Sequence, residues 1–268
     1  TVLCGSKKYP VRDPFFMMTR RSLSTFMNAF TASDFTAYPF STLNDKDFKN
    51  LLSVYLDATF FPNLNELDFM QEGHRFELVN SKNGSEKLEL KGIVYNEMKG
   101  AMSSISSQAD QGLNEHLFPN HTYGFNSGGE PEDILNLTYE NLVNFHKKHY
   151  HPSNAVFFTY GNIDINSIQN EIQNSVLSNF APSHERIDVV ESKYFKTPRY
   201  GSKNYKPLSG DENNHHVIVS WLLGSSLDPV DKMEAKLFES ILLENSASPL
   251  AKALEVSKIG RVPSDLTS

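Results

Sequence analysis

The sequence predicts an α+β fold, in which helices and strands occupy separate stretches of the chain. Residues 25–31 and 35–40 are rich in β-branched and aromatic residues and flank a short turn, a pattern typical of two paired strands. Longer stretches carry apolar residues at the i, i+3, i+4 spacing of an amphipathic helix. Of 268 residues, 39% are hydrophobic, and the 19 Phe and 11 Tyr favour a core that contains sheet. The length is sufficient for one large or two ordinary domains.

Residues suited to helix starts divide the chain into its predicted elements. Asp, Asn and Thr side chains can cap the first turn of a helix, and Pro at the first helical position already has a helical φ angle. The predicted helices begin at Asp13, at Asn44 or Asp45, at Asn65, at Thr138, at about Asp164 and at Asp228. The predicted strands are residues 25–31, 35–40, 154–160 and 216–223. Because Pro39 cannot donate to a ladder, the second strand is an edge there or ends there. Residues 82–85 are predicted to form a turn.

A short apolar helix pattern that starts after Gly92 contains one acidic residue, Glu97. Acidic side chains are seldom buried unless they are paired or bind a metal. On spacing alone, the favoured interpretation is a Glu that reaches past the helix edge to solvent or to Lys99. The alternative is a metal ligand or a catalytic acid.

Composition argues against several classes of function. The net charge of −7 is unsuited to a nucleic-acid backbone. The single cysteine, Cys4, cannot form an internal disulfide and indicates a reducing compartment. The sequence has no run of 18 apolar residues, so no membrane span is expected, and no targeting peptide is visible. Since the chain opens at Thr1 without an initiator Met, we expect it to be an internal piece of a longer chain.

Two further groups of residues could carry chemistry. His146, His149 and His151 are spaced closely enough to suggest a metal cluster, although Pro152 directs the third ring elsewhere and cationic side chains also suit a helix end. Cys4 could be a nucleophile, because nearby lysines would lower its pKa, but no histidine stands in an evident relation to it.

Several long motifs follow one another along the chain, namely residues 1–15, 24–34 and 150–155, together with Val94-Tyr95-Asn96-Glu97-Met98-Lys99-Gly100. Taken in this order, they closely resemble the organellar branch of the pitrilysin and insulysin family of zinc peptidases. The resemblance covers residues 1 to about 180 and continues more loosely to about 256. The implied fold is an antiparallel sheet with helices packed on it, repeated in related domains. Residues 1–180 would be the remnant of the first, catalytic domain, 181–214 a linker, and 215–268 the start of a second domain.

The resemblance implies a zinc site to which this chain contributes one ligand. In the family, an inverted His-x-x-Glu-His motif lies just before the position of Thr1, with two zinc-binding histidines and a general-base glutamate. The third ligand falls on Glu97. The chain alone therefore contains no general base and is expected to be inactive. The insulysin branch carries a supporting Glu at the position of Leu90, beside Glu89, so the support of Glu97 differs here.

The resemblance also assigns a substrate-binding strand. Residues 25–31 would be an edge strand that receives an extended peptide, with Asn28 and Ala29 nearest the scissile bond and Phe30 and Thr31 continuing the contact. Backbone pairing tolerates many sequences, which suits the degradation of varied unstructured peptides.

The family implies a function, partners and a location as well. It implies a zinc metalloendopeptidase of the mitochondrial matrix that degrades unstructured peptides such as cleaved presequences. The implied partners are those peptides and the remaining domains of a longer chain. The competing interpretation is a non-catalytic homologue that holds peptides or supports assembly, as in processing-peptidase and respiratory-complex subunits.

Overall fold

Helices and short antiparallel strands make up the structure, a computed structural model that describes residues 1–80, 86–183, 187–205, 215–223 and 225–257. The helices are α1 Pro14–Arg21, α2 Asp45–Phe60, α3 Glu66–Glu72, α4 Ile93–Ala101, α5 Ile105–Leu117, α6 Pro131–Ile134, α7 Tyr139–His149, α8 Ile165–Ser175, α9 Pro229–Leu243 and α10 Pro249–Val256. The strands are β1 Ser24–Met27, β2 Phe30–Thr31, β3 Thr36–Ala37, β4 Phe40–Thr42, β5 Arg75–Asn80 and β6 Glu86–Lys91. The α+β class is confirmed. The predicted turn at 82–85 lies outside the described residues.

The chain divides into two compact units. The first consists of residues 1–104 and 120–191, and the second of residues 105–119 and 192–268. None of the helices in the described part of the chain has the length and apolar character needed to cross a bilayer.

The strands pair in three separate antiparallel ladders. β1 pairs with β4, β2 with β3, and β5 with β6. The first two ladders together form the predicted pairing of residues 25–31 with 35–40, interrupted at 28–29 and 38–39. Across this interruption the Asn28 amide donates to the Pro39 carbonyl at 3.1 Å, so the two ladders stay in one register.

The core of the first unit lies between α2 and α8. Apolar residues recur along one side of each helix, and their burial removes apolar surface from water. The cluster consists of Leu52, Leu56, Phe60, Ile168, Ile172 and Val176. The Asn44 side chain accepts a hydrogen bond from the Asp47 amide at 3.0 Å, which confirms the predicted cap of α2.

Two predicted strands do not form. Residues 154–160 and 216–223 contain no strand, and side chains such as Val156 and Val217 are largely exposed. A strand needs a partner for its backbone groups, and neither segment pairs with another strand within the described ranges. A strand-like composition without a partner strand therefore does not produce a strand here.

Candidate functional site: a cleft beside the chain start

A cavity of about 330 Å³ lies in the first unit beside the start of the chain. Its walls come from the first residues, the beginning of α1, the bend between β1 and β2, and the end of α3. The lining residues are Thr1, Val2, Leu3, Cys4, Asp13, Phe15, Phe16, Asn28, Ala29, Tyr38 and Glu72. The structure thus places Asn28 and Ala29, two predicted substrate-binding residues, in the wall of the same cavity as Thr1.

Asn28 is held in place by three hydrogen bonds. Its amide donates to the Pro39 carbonyl at 3.1 Å, and its carbonyl accepts from the Tyr55 hydroxyl at 3.4 Å. Its side-chain oxygen accepts from the Ala29 amide at 2.8 Å. Burial raises the pKa of Tyr55 to about 12, so that hydroxyl stays protonated and able to donate.

Phe30 and Thr31, the other two predicted substrate-binding residues, form β2. Their ladder partners are Ala37 and Thr36 of β3. Both residues are exposed, and no second strand pairs with β2 among the residues that the structure describes. One side of β2 is therefore an open edge.

Glu97 lies in the middle of α4 and is exposed, as is Ile93 at the start of the same helix. The exposure of Glu97 agrees with the interpretation in which its side chain reaches solvent. The apolar residues of this helix are not fully buried either, because α4 contains no buried residue. Among the described residues Lys99 and Glu97 form no ion pair, and the Lys99 ammonium lies 5.9 Å from the centre of the Tyr95 ring. In the described part of the chain the Glu97 carboxylate has no hydrogen bond or ion pair, so its oxygens are available to a ligand.

The position of α4 is fixed by a close backbone contact. A Cβ atom at Gly92, just before α4, would collide with the Gly73 carbonyl oxygen, just after α3. Only glycine permits this approach. The contact ties the helix of Glu97 to α3, whose last residue, Glu72, lines the cavity.

The described residues contain no group of three or more His, Cys, Asp or Glu side chains arranged to hold a metal ion. Glu97 fits a zinc site by its chemistry, as one exposed carboxylate, but a catalytic zinc site takes three protein ligands. The described residues could therefore supply one of the three protein ligands of such a site.

The three-histidine alternative is not supported, because the rings serve separate contacts. His146 Nε2 bonds the Thr59 carbonyl at 2.9 Å, and His149 stacks on a phenyl ring of its own helix. His151 Nδ1 accepts from the Ser153 amide at 3.1 Å.

Cys4 also differs from the expected reactive thiol. Burial raises its pKa, and the negative charges of Glu72, Asp68 and Asp13 raise it further, against the opposing effect of the chain's amino terminus. A thiol with a raised pKa is a poor nucleophile at neutral pH. The neighbouring lysines do not reverse this, because Lys8 Nζ donates to Ser53.

Two cavity residues were missed by sequence reasoning. Glu72 closes α3, and its carboxylate accepts from Gln71 at 3.4 Å. Tyr38 follows β3, and its hydroxyl bonds that of Tyr150, 112 residues away. No local spacing connects either residue to Thr1 or Asn28, so the sequence offered no signal for them.

Comparison with known proteins finds similar proteins that share one name. Presequence protease, mitochondrial, of Xenopus tropicalis is 48% identical over 265 residues, which cover 97% of this chain and 26% of that protein. The mouse protein of the same name is 49% identical over 263 residues, covering 97% and 25%. A family model described as "Peptidase M16 inactive domain" matches residues 136–259.

The chain is similar to presequence proteases over nearly its whole length and to the M16 peptidase family over residues 136–259. It spans about a quarter of the length of the curated relatives it matches, and these relatives, including the Schizosaccharomyces pombe protein at 43% identity, are named as mitochondrial. The mitochondrial location expected from the sequence is supported by these names. The first half of the periplasmic protease PqqL from Escherichia coli superposes with a TM-score of 0.52 at 17% identity, covering 72% of this chain and 38% of that chain. That likeness supports the M16 fold.

Proposed function

We propose that this chain is the part of a zinc metalloendopeptidase that supplies one zinc ligand and the peptide-binding edge. The observation that carries the proposal is the cavity that Thr1, Asn28 and Ala29 line together. A His-x-x-Glu-His motif ending just before Thr1 would stand at this cavity, next to the strand that receives the substrate.

Glu97 has the role of the third zinc ligand in this proposal. Its carboxylate is exposed and without a partner in the described part of the chain, and α4 is anchored through the contact of Gly92 with Gly73. When bound to two histidines and this carboxylate, zinc activates a water molecule for attack on a peptide carbonyl. The general base belongs to the upstream motif, so the chain by itself is expected to be inactive.

The open edge of β2 has the role of binding the substrate backbone. Phe30 and Thr31 have one side of their backbone unpaired among the described strands, and an extended peptide can add there as a further strand. Asn28 and Ala29 continue this line into the cavity. Because backbone hydrogen bonds do not depend on the side chains of the bound peptide, the edge of β2 suits many unstructured peptides.

The substrate class follows from the relatives. They are named presequence proteases, and mitochondrial presequences are basic, amphipathic and poor in acidic residues. We assign cleaved presequences and similar unstructured peptides as substrates and the mitochondrial matrix as the compartment. The remaining domains of a longer chain are the partners. The net charge of −7 favours encounter with basic peptides.

A non-catalytic homologue is the second candidate. It is favoured by the match of residues 136–259 to a domain described as inactive. Glu97 lies outside that region, and a homologue that only holds peptides has no need of an exposed carboxylate at this motif. The two candidates differ in whether Glu97 binds metal.

The deciding experiment changes Glu97 in a chain extended by a His-x-x-Glu-His segment before Thr1. Glu97→Gln keeps the shape but removes the charge, and a neutral amide is a poor zinc ligand. We expect zinc content and peptidase rate to fall by more than the roughly 10–100-fold typical of losing a residue that only supports a ligand.

The matched control is Lys99→Gln, which alters charge two residues away on the same helix and should leave zinc and rate nearly unchanged. Folding, followed by circular dichroism, should survive both changes because α4 contains no buried residue. Full zinc and near-normal turnover in Glu97→Gln would make Glu97 a structural acid and remove it as the third ligand. An extended chain that binds no zinc and cuts no peptide would favour the second candidate.

A further inference from the structure

A pair of tyrosine hydroxyls links the cavity wall to a distant helix. The Tyr38 and Tyr150 hydroxyl oxygens are 2.8 Å apart, and the ring centres are 6.3 Å apart in an edge-to-face arrangement. Tyr38 lines the cavity, whereas Tyr150 follows α7. Burial, followed by the proximity of Tyr150, raises the pKa of Tyr38 far above its usual value, so the Tyr38 hydroxyl keeps its proton.

Tyr150 is held between two helices. Its ring stacks on His146 of α7, with 4.4 Å between ring centres and an angle of 23°. His146 Nε2 in turn donates to the Thr59 carbonyl of α2 at 2.9 Å. This arrangement makes the Tyr150 hydroxyl a fixed point, supported from α7 and from α2.

Tyr38 connects Tyr150 to the bend at Asn28 through the backbone of the neighbouring residue. The next residue, Pro39, provides the carbonyl that accepts the Asn28 amide at 3.1 Å. On the other side of Asn28, the Tyr55 hydroxyl of α2 donates to its carbonyl at 3.4 Å. The backbone at Asn28 is thus fixed on both sides, and Tyr38–Pro39 is the side that depends on Tyr150.

We propose that Tyr38 and Tyr150 are positioning residues that hold the cavity rim at Asn28 and Ala29 in the geometry that binds an extended peptide. The inference rests on the proposed function in one respect, namely that this rim contacts the substrate. Neither tyrosine takes part in the chemistry. Each acts through the Tyr38–Pro39 segment.

The test measures amide hydrogen exchange and peptide binding in the 268-residue chain and its variants. In Tyr150→Phe, we expect the Asn28 amide to exchange about 2–10-fold faster, the change that loss of one hydrogen bond produces. The affinity for a fluorescently labelled unstructured peptide, measured by anisotropy, should weaken by a similar factor. Tyr38→Phe should act in the same direction. The double variant should be no worse than Tyr150→Phe, because both changes break the same link.

Tyr9→Phe is the matched control. Its hydroxyl also bonds another side-chain hydroxyl, that of Ser53, at 2.8 Å, but Tyr9 does not line the cavity. It should leave Asn28 exchange and peptide affinity unchanged. The Ile168 amide, bonded to the Asp164 carbonyl in α8, reports loss of global stability.

Two results would overturn the proposal. One is an Asn28 amide that exchanges as slowly in Tyr150→Phe as in Tyr9→Phe. The other is an equal acceleration at Asn28 and Ile168, which means a general loss of stability. If the unaltered chain binds no peptide, strand addition in the proposed function fails, while exchange at Asn28 still decides whether the tyrosines position the rim.

Discussion

His146 experiences two opposing effects on its protonation. Burial lowers the pKa of His146, and its hydrogen bond to the Thr59 carbonyl raises it by less. The pKa is therefore lower in the folded chain than in the unfolded chain, where it is about 6.5. Above that value the neutral ring contributes its full stabilisation. As the pH falls below it, the unfolded chain binds the proton first, and the stabilisation is lost.

We predict that His146→Gln reduces the acid sensitivity of folding. Glutamine keeps an N–H donor for the Thr59 carbonyl but does not titrate. The difference in free energy of unfolding between the original chain and the variant should shrink from about pH 7.5 to about pH 5.5. Urea denaturation at a series of pH values measures it. A difference that stays constant over this range would show that His146 titrates alike in both states.

At the scale of single residues, sequence motifs could identify Glu97 but could not describe its surroundings. The interpretation of Glu97 as a residue that reaches solvent agrees with its exposure. The apolar pattern around it does not correspond to buried side chains, since Ile93 is half-exposed and α4 buries no side chain. Tyr38 and Glu72 were missed because their proximity to Thr1 results from tertiary packing. Residues that a motif places can be predicted, whereas those that the fold brings together cannot.

At the scale of elements, the confirmed strand pairing lies where the chain supplies its own nearby partner, although the equally local pairing of β5 with β6 was not predicted. Residues 25–31 and 35–40 pair as predicted because a short turn brings them together. The predicted cap at Asn44 is confirmed for the same reason, because its hydrogen-bond partner, the Asp47 amide, lies only three residues away. Residues 154–160 and 216–223 have equally good strand composition, but β-propensity reflects packing against neighbours and cannot replace a missing partner.

The junction of α3 and α4 provides a prediction at this scale. Gly92→Ala should destabilise the fold by about 1–3 kcal/mol, the usual range for overpacking, because the new methyl group meets the backbone oxygen of Gly73. Chemical denaturation, followed by far-ultraviolet circular dichroism, measures the change. Glu97 should be displaced together with α4, so zinc binding in the extended chain should weaken as well.

Gly100→Ala is the matched control in the same helix. A Cβ atom at Gly100 meets nothing within 4 Å, and alanine is a better helix former than glycine by about 0.5–1 kcal/mol. This variant should be neutral or slightly more stable. If Gly92→Ala matches it in stability, the contact with Gly73 does not fix α4.

At the scale of the whole molecule, the chain consists of two compact units. Sequence reasoning predicted a linker at 181–214 from its polar composition. The described part of that range contains no helix or strand. Segments without such backbone bonding open locally at low free-energy cost, and proteases cut open segments first.

We therefore predict that trypsin first cuts this chain after Lys193 or Lys196. Both residues are exposed and lie outside helices and strands. Lys49 in α2 and Lys147 in α7 are equally exposed, but helical hydrogen bonds hold their backbone out of the extended shape that a protease requires. Limited digestion at low trypsin, followed by mass spectrometry, should show a fragment ending at Lys193 or Lys196 before any cut in residues 1–180.

The variant carrying both Lys193→Gln and Lys196→Gln should resist this first cut, while Lys49→Gln should not. An earliest cut inside residues 1–180 in the unaltered chain would contradict the linker prediction and place the least stable segment within the first unit.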